Sequence, residues 1–596
     1  MKKLMSGNEA IARGIYEASV KVASAYPGTP STEILENLAN YNDVYSEWAP
    51  NEKVAAEVAF GAAVAGVRSV CVMKHVGVNV AADPIFTSSY SGVNAGFVII
   101  SADDPGMHSS QNEQDNRHYA RAAKLPMFEP ADSQDCIDMI KEAYHISEEY
   151  DCPVFFRTTT RICHSKSLVS EGAKLEVPIK PYESNAKKYV SVPAVAAARR
   201  PLIEKRMQRL EEYANNSPFN RMELNDRKTG VISSGVAAQY AREVFPAGTS
   251  YLQLGFTYPL PKELIRQFAR EVDTLYVVEE LDPFLEEQIR ALGIDIIGKE
   301  IVPAMFELNP LILRSAILGE DIVESDGNIG KESETVQIDT QAVPRPPVLC
   351  PGCPHRGFFY AASKLDNAVI AGDIGCYTLA ASDPLLAMDT CVCMGGGFTV
   401  AMGMQKSFES AGITDKKVFG VMGDSTFFHS GIAGAIEIIY NGGNVIPVVL
   451  DNRTTGMTGQ QENPGTGYSI NEQQAEQISI PAILEAIGFK KILKPNPLNL
   501  SAVEKALNQA LESDVPAAIV WASPCRLIKR EKFPPAVCEV DRDMCTSCGV
   551  CLGVGCPSIY FVDDRAFIDD TLCVGCTVCM QTCVFDAIKI KKREEK

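Results

Sequence analysis

Two short apolar stretches, each followed at once by acidic or amide residues, constrain the fold of this chain more than any other feature. The first runs from Val418 to Met422 and stops at Gly423-Asp424-Ser425. The second runs from Val445 to Leu450 and stops at Asp451-Asn452-Arg453. Apolar runs of this length, bounded by small polar residues, are typical of strands buried in a sheet.

The segment between the two runs predicts a helix. Its apolar residues recur at helical spacing, and we expect Ser425 or Thr426 to cap its start and Gly442 to follow its end. Such a strand–helix–strand unit is nearly always right-handed and returns its second strand parallel to the first. Both strands then end at the same edge of the sheet, where open α/β sheets bind ligands, so we expect Asp424 and Asn452 to face one site there.

A carboxylate and an amide oxygen at that edge predict a magnesium site. Both are hard oxygen ligands, and Mg²⁺ completes its octahedron with water and phosphate oxygens. The start of the following helix favours a phosphate group at the same place. The pattern therefore predicts a magnesium-held diphosphate, with the alternative that Gly-Asp and Asp-Asn are only turn residues.

The spacing of these residues resembles the fingerprint of the thiamine diphosphate enzymes. In this chain it reads Gly423-Asp424-Ser425, then 25 residues (426–450), then Asp451-Asn452, with Ser425 in place of the usual third glycine. The resemblance implies that Asp424 and Asn452 bind Mg²⁺. It also implies that the backbone carbonyl of Thr454 completes the metal shell.

The same resemblance implies a catalytic glutamate that hydrogen-bonds the aminopyrimidine ring of the cofactor. Glu52 fits this role, because it lies nine residues before Gly61 at the start of a stretch rich in Ala, Val and Gly. A glutamate in this role functions best in an apolar setting. Glu57 is the competing candidate, and an ordinary surface glutamate at a helix start is the alternative for Glu52.

The C-terminal tail is rich in cysteine, since nine of the 19 cysteines lie between Cys538 and Cys583. A reducing cytoplasm disfavours disulfides, so this density indicates metal or cluster ligation. The spacing is Cys545-x₂-Cys548-x₂-Cys551-x₄-Cys556 and then Cys573-x₂-Cys576-x₂-Cys579-x₃-Cys583. The second run has the spacing of bacterial ferredoxins, in which the fourth cysteine of each run serves the other cluster.

We therefore expect two [4Fe–4S] clusters with exchanged fourth ligands. One would be held by Cys545, Cys548, Cys551 and Cys583, and the other by Cys573, Cys576, Cys579 and Cys556. Zinc is the alternative, but zinc sites use pairs of cysteines rather than triplets with a distant fourth.

A thiamine site joined to a ferredoxin-like tail resembles the 2-oxoacid:ferredoxin oxidoreductases, and the order of parts is similar to the large subunits of their indolepyruvate branch. The motifs that carry the resemblance are SGNEAIARG (6–14), YPGTPSTEI (26–34), CPGCPHRG (350–357) and GDIGC (372–376). The resemblance implies that Thr29 faces the oxoacid. It implies oxidative decarboxylation of aryl pyruvates such as indolepyruvate and phenylpyruvate with coenzyme A, giving arylacetyl-CoA, CO₂ and reduced ferredoxin.

The resemblance also implies a smaller beta subunit and a dimer of this chain within an α₂β₂ complex. It leaves open a third cluster on Cys350, Cys353, Cys376 and Cys525, with free thiols as the alternative. His75 and His355 are candidates for contact with substrate or phosphate, and structural histidines are the alternative. We expect Cys391 and Cys393 to be buried thiols near the cofactor.

The alternation of strand-like and helix-like segments predicts an α/β fold with three doubly wound parallel-sheet domains and a small α+β ferredoxin-like domain. The expected segments are a pyrimidine-binding domain (1–185), a helical connector (186–228), a transketolase C-terminal-like domain (229–320), a linker (321–347), a diphosphate-binding domain (348–535) and the ferredoxin-like domain (536–596).

Charge and hydropathy exclude other classes of function. The net charge of −19 argues against a nucleic-acid-binding protein, which usually carries a basic patch. We find no apolar run of the ~18 residues that a membrane span needs, so we expect a cytoplasmic protein without a membrane partner. Three alternatives remain: an oxidoreductase for another 2-oxoacid, a non-redox thiamine decarboxylase with a redox-sensing tail, and an electron-carrying scaffold without activity.

Overall fold

The structure is a computed structural model that describes residues 2–182, 184–319, 347–533 and 535–592. The predicted linker 321–347 lies outside the described residues, apart from residue 347. The chain forms two compact units, residues 1–334 and 335–596. Across the described ranges, every helix is too short or too polar to span a lipid bilayer.

The first unit alternates strands and helices along the chain. Its strands are β1 (Lys2–Ser6), β2 (Val22–Ala25), β3 (Tyr45–Trp48), β4 (Ser69–Lys74), β5 (Phe97–Asp103), β6 (Met127–Phe128), β7 (Val154–Thr159), β8 (Lys166–Ser170), β9 (Asn220–Glu223), β10 (Thr229–Ser234), β11 (Ser250–Leu254), β12 (Phe256–Tyr258) and β13 (Thr274–Val278). Its helices are α1 (Gly7–Glu17), α2 (Thr32–Leu38), α3 (Glu52–Ala65), α4 (His75–Val80), α5 (Ala82–Ser91), α6 (Arg117–Ala123), α7 (Ser133–Tyr150), α8 (Thr160–His164), α9 (Ala186–Tyr189), α10 (Pro193–Asn216), α11 (Ala237–Val244), α12 (Lys262–Arg270), α13 (Phe284–Arg290) and α14 (Pro310–Leu318).

A seven-stranded sheet organises most of this unit. Its strand order is β12-β6-β7-β5-β4-β2-β3, and all neighbours are parallel except β12 and β6. All seven residues of the central strand β5 are buried, as expected for a parallel strand covered on both faces. Because β4, β2 and β3 are adjacent, the residues that follow these three strands lie side by side at one edge.

A second sheet, in the order β13-β10-β11-β9, is parallel except for the edge strand β9. Strand β9 falls within the segment 186–228, which we predicted as a helical connector. The structure differs there because Asn220 binds the backbone of Gly255 and Phe256 through its side chain, which holds the extended segment against β11 and β12. Side chains of the two sheets share one apolar core.

A buried ion-pair network joins α6 of the first sheet region to the end of β13 in the second. The Arg117 guanidinium contacts Asp115 at 2.5 Å and Glu279 at 2.6 Å, and all three side chains are almost fully buried. The Glu279 carboxylate also accepts hydrogen bonds from the backbone of Leu285 and Glu286. Removal of one partner from such a network leaves buried charges without compensation.

The second unit contains a five-stranded sheet and the cysteine-rich tail. Its strands are β14 (Ala368–Ala371), β15 (Lys417–Gly423), β16 (Ile446–Asp451), β17 (Lys491–Leu493), β18 (Ala517–Ala522), β19 (Ala536–Val540), β20 (Ile559–Val562), β21 (Arg565–Ile568) and β22 (Ile588–Lys592). Its helices are α15 (Arg356–Ala362), α16 (Gly396–Ser410), α17 (Asp424–Thr426), α18 (Ile432–Tyr440), α19 (Ile480–Ile487) and α20 (Leu500–Leu511).

The five strands β14-β15-β16-β18-β17 are all parallel, which confirms the predicted strand–helix–strand unit and the α/β fold class. Gly423 pairs with Leu450, so the residues that follow β15 and β16 meet at one edge of the sheet. In the tail, β19 pairs with β22 and β20 with β21, both antiparallel. The ferredoxin-like assignment of the tail stays a prediction.

The predicted cap of the helix after β15 is wrong. Strand β15 passes directly into α17, so Asp424 is the first helical residue, and Ser425 and Thr426 lie inside the turn rather than before it. A single wide turn, Phe427–Gly431, then leads into α18. At the other end, Gly442 has a positive φ of 60° just after the helix, as predicted.

We expect Arg117→Met to destabilise the first unit by about 3–5 kcal/mol, because Asp115 and Glu279 would keep buried charges without their partner. Arg121→Met is the matched control, because its ion pair with Glu287 is 3.9 Å long and exposed, and it should cost less than about 1 kcal/mol. Thermal melts of both variants measure the difference. Equal melting temperatures would contradict the role assigned to Arg117.

Candidate active site

Three oxygen-bearing groups converge at the edge of the five-stranded sheet, as the sequence predicts for Asp424, Asn452 and Thr454. The Asn452 amide head group lies 3.0 Å from Asp424 Oδ1 and 2.7 Å from the Thr454 carbonyl oxygen. As placed, its oxygen points at these two acceptors. Three oxygens facing one another repel unless a cation lies between them or the amide turns to present its nitrogen.

The distances fit a small divalent cation. Mg²⁺ binds oxygens at about 2.1 Å in an octahedron, which places neighbouring ligand oxygens about 3 Å apart. The separations of 2.7 and 3.0 Å agree with that value, and with the amide turned they equally fit hydrogen bonds donated by the Asn452 nitrogen. The donor set is a carboxylate, an amide oxygen and a backbone carbonyl, which is hard-ligand chemistry suited to Mg²⁺ rather than to a thiolate-binding metal.

The electrostatics of Asp424 also favour a bound cation. Its side chain is buried, and burial together with the charge of Asp451 raises the pKa of its carboxyl to about 8. A divalent ion would offset this cost, because a bound cation is the largest local charge in such a site. The neighbouring carboxylate, Asp451, is paired with Arg453. It accepts a hydrogen bond from the Arg453 backbone N–H at 3.1 Å, and the Arg453 Nε lies 3.2 Å from its other oxygen.

Two residues that the sequence analysis did not single out support this edge. Asn463 donates from Nδ2 to Asp424 Oδ2 at 3.0 Å and orients that carboxylate. Asp373 of the GDIGC motif binds the backbone N–H groups of Gly395 and Gly397 at 3.1 and 2.8 Å, which shapes the glycine turn before α16. No spacing pattern in the sequence indicates either role, because each role depends on contacts between loops that are distant in the chain.

The other predicted cofactor residues lie close to the same edge. Ser425 accepts a hydrogen bond from Thr455 at 3.0 Å. A Cβ atom on Gly423 would lie 2.9 Å from the Tyr377 ring, so this position requires glycine. His355 packs edge-on against Tyr377, and burial lowers its pKa to about 4. His355 is therefore neutral at pH 7, and contact with phosphate would use a hydrogen bond rather than a charge.

In the first unit, the structure separates the two candidate glutamates. Glu52 is 4% exposed and begins α3 directly after the helix cap Asn51. Its carboxylate lies against Gly77, where an added Cβ would come within 2.6 Å of Oε1. Glu57 points into solvent on the same helix and pairs with Lys53. The buried setting expected for the catalytic glutamate is therefore that of Glu52.

Thr29 lies in the loop that follows β2, one strand away from β3 and the helix of Glu52. The loop is held by two local bonds, Gly28 N–H to Thr32 Oγ1 at 3.0 Å and Ser31 Oγ to Gly28 O at 2.9 Å. Thr29 is half-buried, and its carbonyl accepts from Ser109 Oγ at 3.4 Å. Thr29 and Glu52 thus follow neighbouring strands at one sheet edge.

His75, which begins α4, is fully buried, and its Nε2 lies 3.1 Å from the Asn112 carbonyl oxygen.

In the tail, the structure brings together the four cysteines predicted for the first cluster. They all line one cavity: Cys545, Cys548, Cys551 and Cys583. The fourth of them comes from the second cysteine run, as the exchange of ligands requires. The backbone N–H of Ala587 donates to Cys583 Sγ at 3.3 Å.

The predicted second set lies next to a cysteine that the ligand assignment leaves out. Cys538 on β19 donates its backbone N–H to Cys573 Sγ at 3.2 Å. Ser558 Oγ lies 3.0 Å from Cys556 Sγ. Hydrogen bonds to cluster sulfurs are one means by which a protein sets a reduction potential.

The cysteine sulfurs of these sites are spaced more widely than the ligands of a closed zinc site. Tetrahedral zinc with Zn–S bonds of about 2.3 Å holds its sulfurs about 3.8 Å apart. Over the residues described, no three cysteine sulfurs lie within 4.8 Å of one another.

The cysteines of the open third set also influence the pKa values of one another. Burial and the thiols of Cys525 and Cys350 raise the pKa of Cys376 to about 11. Burial and the thiols of Cys376 and Cys350 likewise raise the pKa of Cys353. The set adjoins the oxygen site, because the Cys525 N–H donates to the Asn452 carbonyl at 2.9 Å.

The tail packs directly on this third cysteine set. An added Cβ on Gly352, between Cys350 and Cys353, would lie 2.2 Å from Val574 and 3.5 Å from the Cβ of Cys576. Gly352 has φ of 67°, so glycine is required on two grounds. Cysteines of the third set and of the tail thus lie on either side of the turn at Gly352.

The expectation of buried thiols at Cys391 and Cys393 is wrong. Cys391 is only half-buried, and Cys393 is exposed. Both belong to an irregular segment between β14 and α16, and Cys393 borders an open groove between α16 and α18. An irregular surface segment keeps its side chains accessible, which the apolar neighbours in the sequence did not indicate.

Comparison with known proteins gives matches over nearly all of the chain. The family described as "Thiamine pyrophosphate enzyme, C-terminal TPP binding domain" matches residues 373–521, and "Pyruvate flavodoxin/ferredoxin oxidoreductase, thiamine diP-bdg" matches residues 13–218. The chain is 38% identical to "Indolepyruvate oxidoreductase subunit IorA" of Archaeoglobus fulgidus, over 99% of this chain and 98% of the relative. It is 40% identical to the protein of that name from Methanothermobacter marburgensis, over 98% and 96%.

Among solved structures, a 2-oxoglutarate:ferredoxin oxidoreductase from Magnetococcus marinus is 16% identical, with a TM-score of 0.45 over 53% of this chain and 65% of that chain. The two family matches place a thiamine diphosphate site in this protein, with residues 373–521 covering Asp424 and Asn452.

We expect Asp424→Ala to lose thiamine diphosphate, with affinity reduced more than about 100-fold, because mutation of outer-shell partners alone costs about 10–100-fold in metal affinity. Asn463→Ala removes such an outer-shell partner and should cost about 10-fold. Cofactor content after desalting in magnesium buffer measures both. Asp415→Ala, in an exposed loop, is the control. Retention of the cofactor by Asp424→Ala would rule out the metal role.

Proposed function

This chain belongs to the family of indolepyruvate oxidoreductase IorA subunits, and from that premise we propose that it catalyses the oxidative decarboxylation of aryl pyruvates. The products would be arylacetyl-CoA and CO₂, with electrons passing through iron–sulfur clusters to ferredoxin. One observation carries the proposal beyond the family name: the Cys525 N–H donates to the carbonyl of Asn452 at 2.9 Å. The backbones of a candidate cluster ligand and a candidate magnesium ligand are thus joined by a hydrogen bond.

Thiamine diphosphate, when bound, supplies a nucleophilic carbon and an electron sink for decarboxylation of the 2-oxoacid. In this chain Asp424, Asn452 and the Thr454 carbonyl would hold its diphosphate through Mg²⁺. Glu52 would accept a hydrogen bond from the aminopyrimidine ring at its carboxylate, and its burial keeps water away from that contact. Thr29 would face the oxoacid from the neighbouring loop.

The cysteines of the second unit provide a route for electrons away from this site. Two electrons must leave one at a time, which single-electron clusters allow and a simple decarboxylase does not require. The third set lies beside Asn452, and Gly352, between Cys350 and Cys353, packs against Val574 of the tail. This order of contacts favours transfer from the oxygen site through the third set to the tail.

The family premise also supports a multi-subunit enzyme. The relatives are named as subunits. We propose that this chain pairs with a smaller beta subunit and dimerises within an α₂β₂ complex that uses coenzyme A and an external ferredoxin. Anaerobic assay of the purified complex tests the activity, since reduction of viologen should require both an aryl pyruvate and coenzyme A. Release of an aldehyde without electron transfer would instead indicate a non-redox decarboxylase.

Glu52→Gln should retain thiamine diphosphate but lower kcat by about 10²–10⁴-fold, because the glutamine cannot exchange a proton at that position. Glu57→Gln is the matched control on the same helix and should keep nearly full activity. Viologen reduction and cofactor content separate the two effects. Full activity of Glu52→Gln together with loss in Glu57→Gln would transfer the role to Glu57.

Iron analysis tests the third cluster. With three [4Fe–4S] clusters the chain should hold about 12 irons, and with two about 8. Cys525→Ala should lower the count by about four, whereas Cys393→Ala, at an exposed position, should not change it. A count of about eight in the unaltered protein would exclude the third cluster.

A further inference from the structure

Lys74 is a cation at the edge of the seven-stranded sheet that the proposed mechanism does not yet use. It is the last residue of β4. Strand β4 lies beside β2, with Val72 paired to Ala25, so Lys74 is level with the loop that carries Thr29. Strand β3, which pairs with the other side of β2, leads to Glu52. Lys74 thus lies on the same edge as both residues proposed for catalysis.

The Lys74 side chain runs across the Thr29 loop. A Cβ on Gly28 would lie 3.0 Å from Lys74 Cγ and 3.2 Å from Cδ, so the lysine stem packs against the Gly28 backbone. Its ammonium donates to the Ser109 carbonyl at 3.0 Å. Ser109 in turn donates to the Thr29 carbonyl at 3.4 Å. The ammonium group is therefore held close to Thr29 by contacts on two sides.

The charge of Lys74 is not neutralised by a direct partner. Over the residues described, its ammonium donates one hydrogen bond, to the Ser109 carbonyl, whereas an ammonium has three donors, and Asp104 and Glu52 act on it only through their charges. The carboxylate of the nearby Asp104 instead accepts hydrogen bonds from Ser109, Ser110 and Thr160. Burial lowers the pKa of Lys74, while the charges of Asp104 and Glu52 oppose that shift. An unpaired, partly desolvated cation at a ligand-binding edge suits an anionic ligand.

We infer that the Lys74 ammonium binds the carboxylate of the 2-oxoacid, an inference that rests on the function proposed above. The substrate is an anion, and its carboxylate is bonded to the keto carbon that must lie near Thr29. During decarboxylation the C1–C2 bond breaks, the electron pair stays on C2, and the negative charge leaves the carboxyl group as CO₂ forms. Lys74 therefore stabilises the bound substrate more than the later states, and its loss should act mainly on KM.

Binding of unreactive analogues tests this role without turnover. 3-Phenylpropionate carries the carboxylate but no keto group, and 3-phenylpropionamide is its neutral counterpart. Calorimetry with the purified, thiamine-loaded complex should show that the unaltered protein binds the acid at least about 10-fold more tightly than the amide, the range of a charge-assisted hydrogen bond. Lys74→Met should bind the two equally.

Kinetics provide a second readout. Lys74→Met should raise KM for phenylpyruvate about 10–100-fold with a smaller change in kcat. Lys74→Gln keeps a donor for the Ser109 carbonyl without the charge, so it should show the same KM change even if Lys74→Met folds poorly. Lys166→Met, at an exposed strand position, is the control and should leave both constants unchanged.

Two results would overturn the inference. One is an unaltered protein that binds the acid and the amide equally. The other is Lys74→Gln with the acid preference and KM of the unaltered protein. Failure of the proposed function is a different result, namely no viologen reduction with any aryl pyruvate by the unaltered complex, and the calorimetric comparison can still be made in that case.

Discussion

The convergence of Asp424, Asn452 and the Thr454 carbonyl is the interaction on which the rest of this protein depends. Parallel pairing of β15 and β16 brings the first two to one sheet edge, and the separations of 2.7 and 3.0 Å are those of neighbouring ligands on a small divalent ion. A buried carboxylate beside another acid is costly unless a cation offsets the charge. The edge therefore suits a cation, in agreement with the proposal of a magnesium-held diphosphate.

Cysteine residues lie next to the same edge through short contacts. The Cys525 backbone binds Asn452, and Gly352 sits tightly against Val574 of the tail. Glycine is obligatory at position 352, since its φ is positive and a side chain would collide with the tail. The two cysteine groups are therefore packed closely at this turn. Cys538, which lies outside the predicted ligand set, donates its backbone N–H to Cys573 Sγ.

Much of this organisation could be predicted from the sequence, because strand ends and ligand spacing are properties of short segments. The two strands around 418–450, their parallel pairing and the gathering of Cys545, Cys548, Cys551 and Cys583 in one cavity agree with the sequence patterns. The helix cap was wrong, because β15 enters α17 without an intervening residue. Exposure of Cys393 was missed, because apolar neighbours in sequence do not report how a loop is packed.

The sequence by itself therefore determined the α/β class, the residues at the strand ends and the spacing of the cysteines. Only the tertiary structure distinguishes the settings of Glu52 and Glu57, since both lie on the same helix and only Glu52 is buried, against Gly77. It alone revealed Asn463 behind Asp424 and Lys74 beside the Thr29 loop. The physical reason is that periodicity and spacing are encoded locally, whereas burial and charge compensation arise from contacts between segments far apart in the chain.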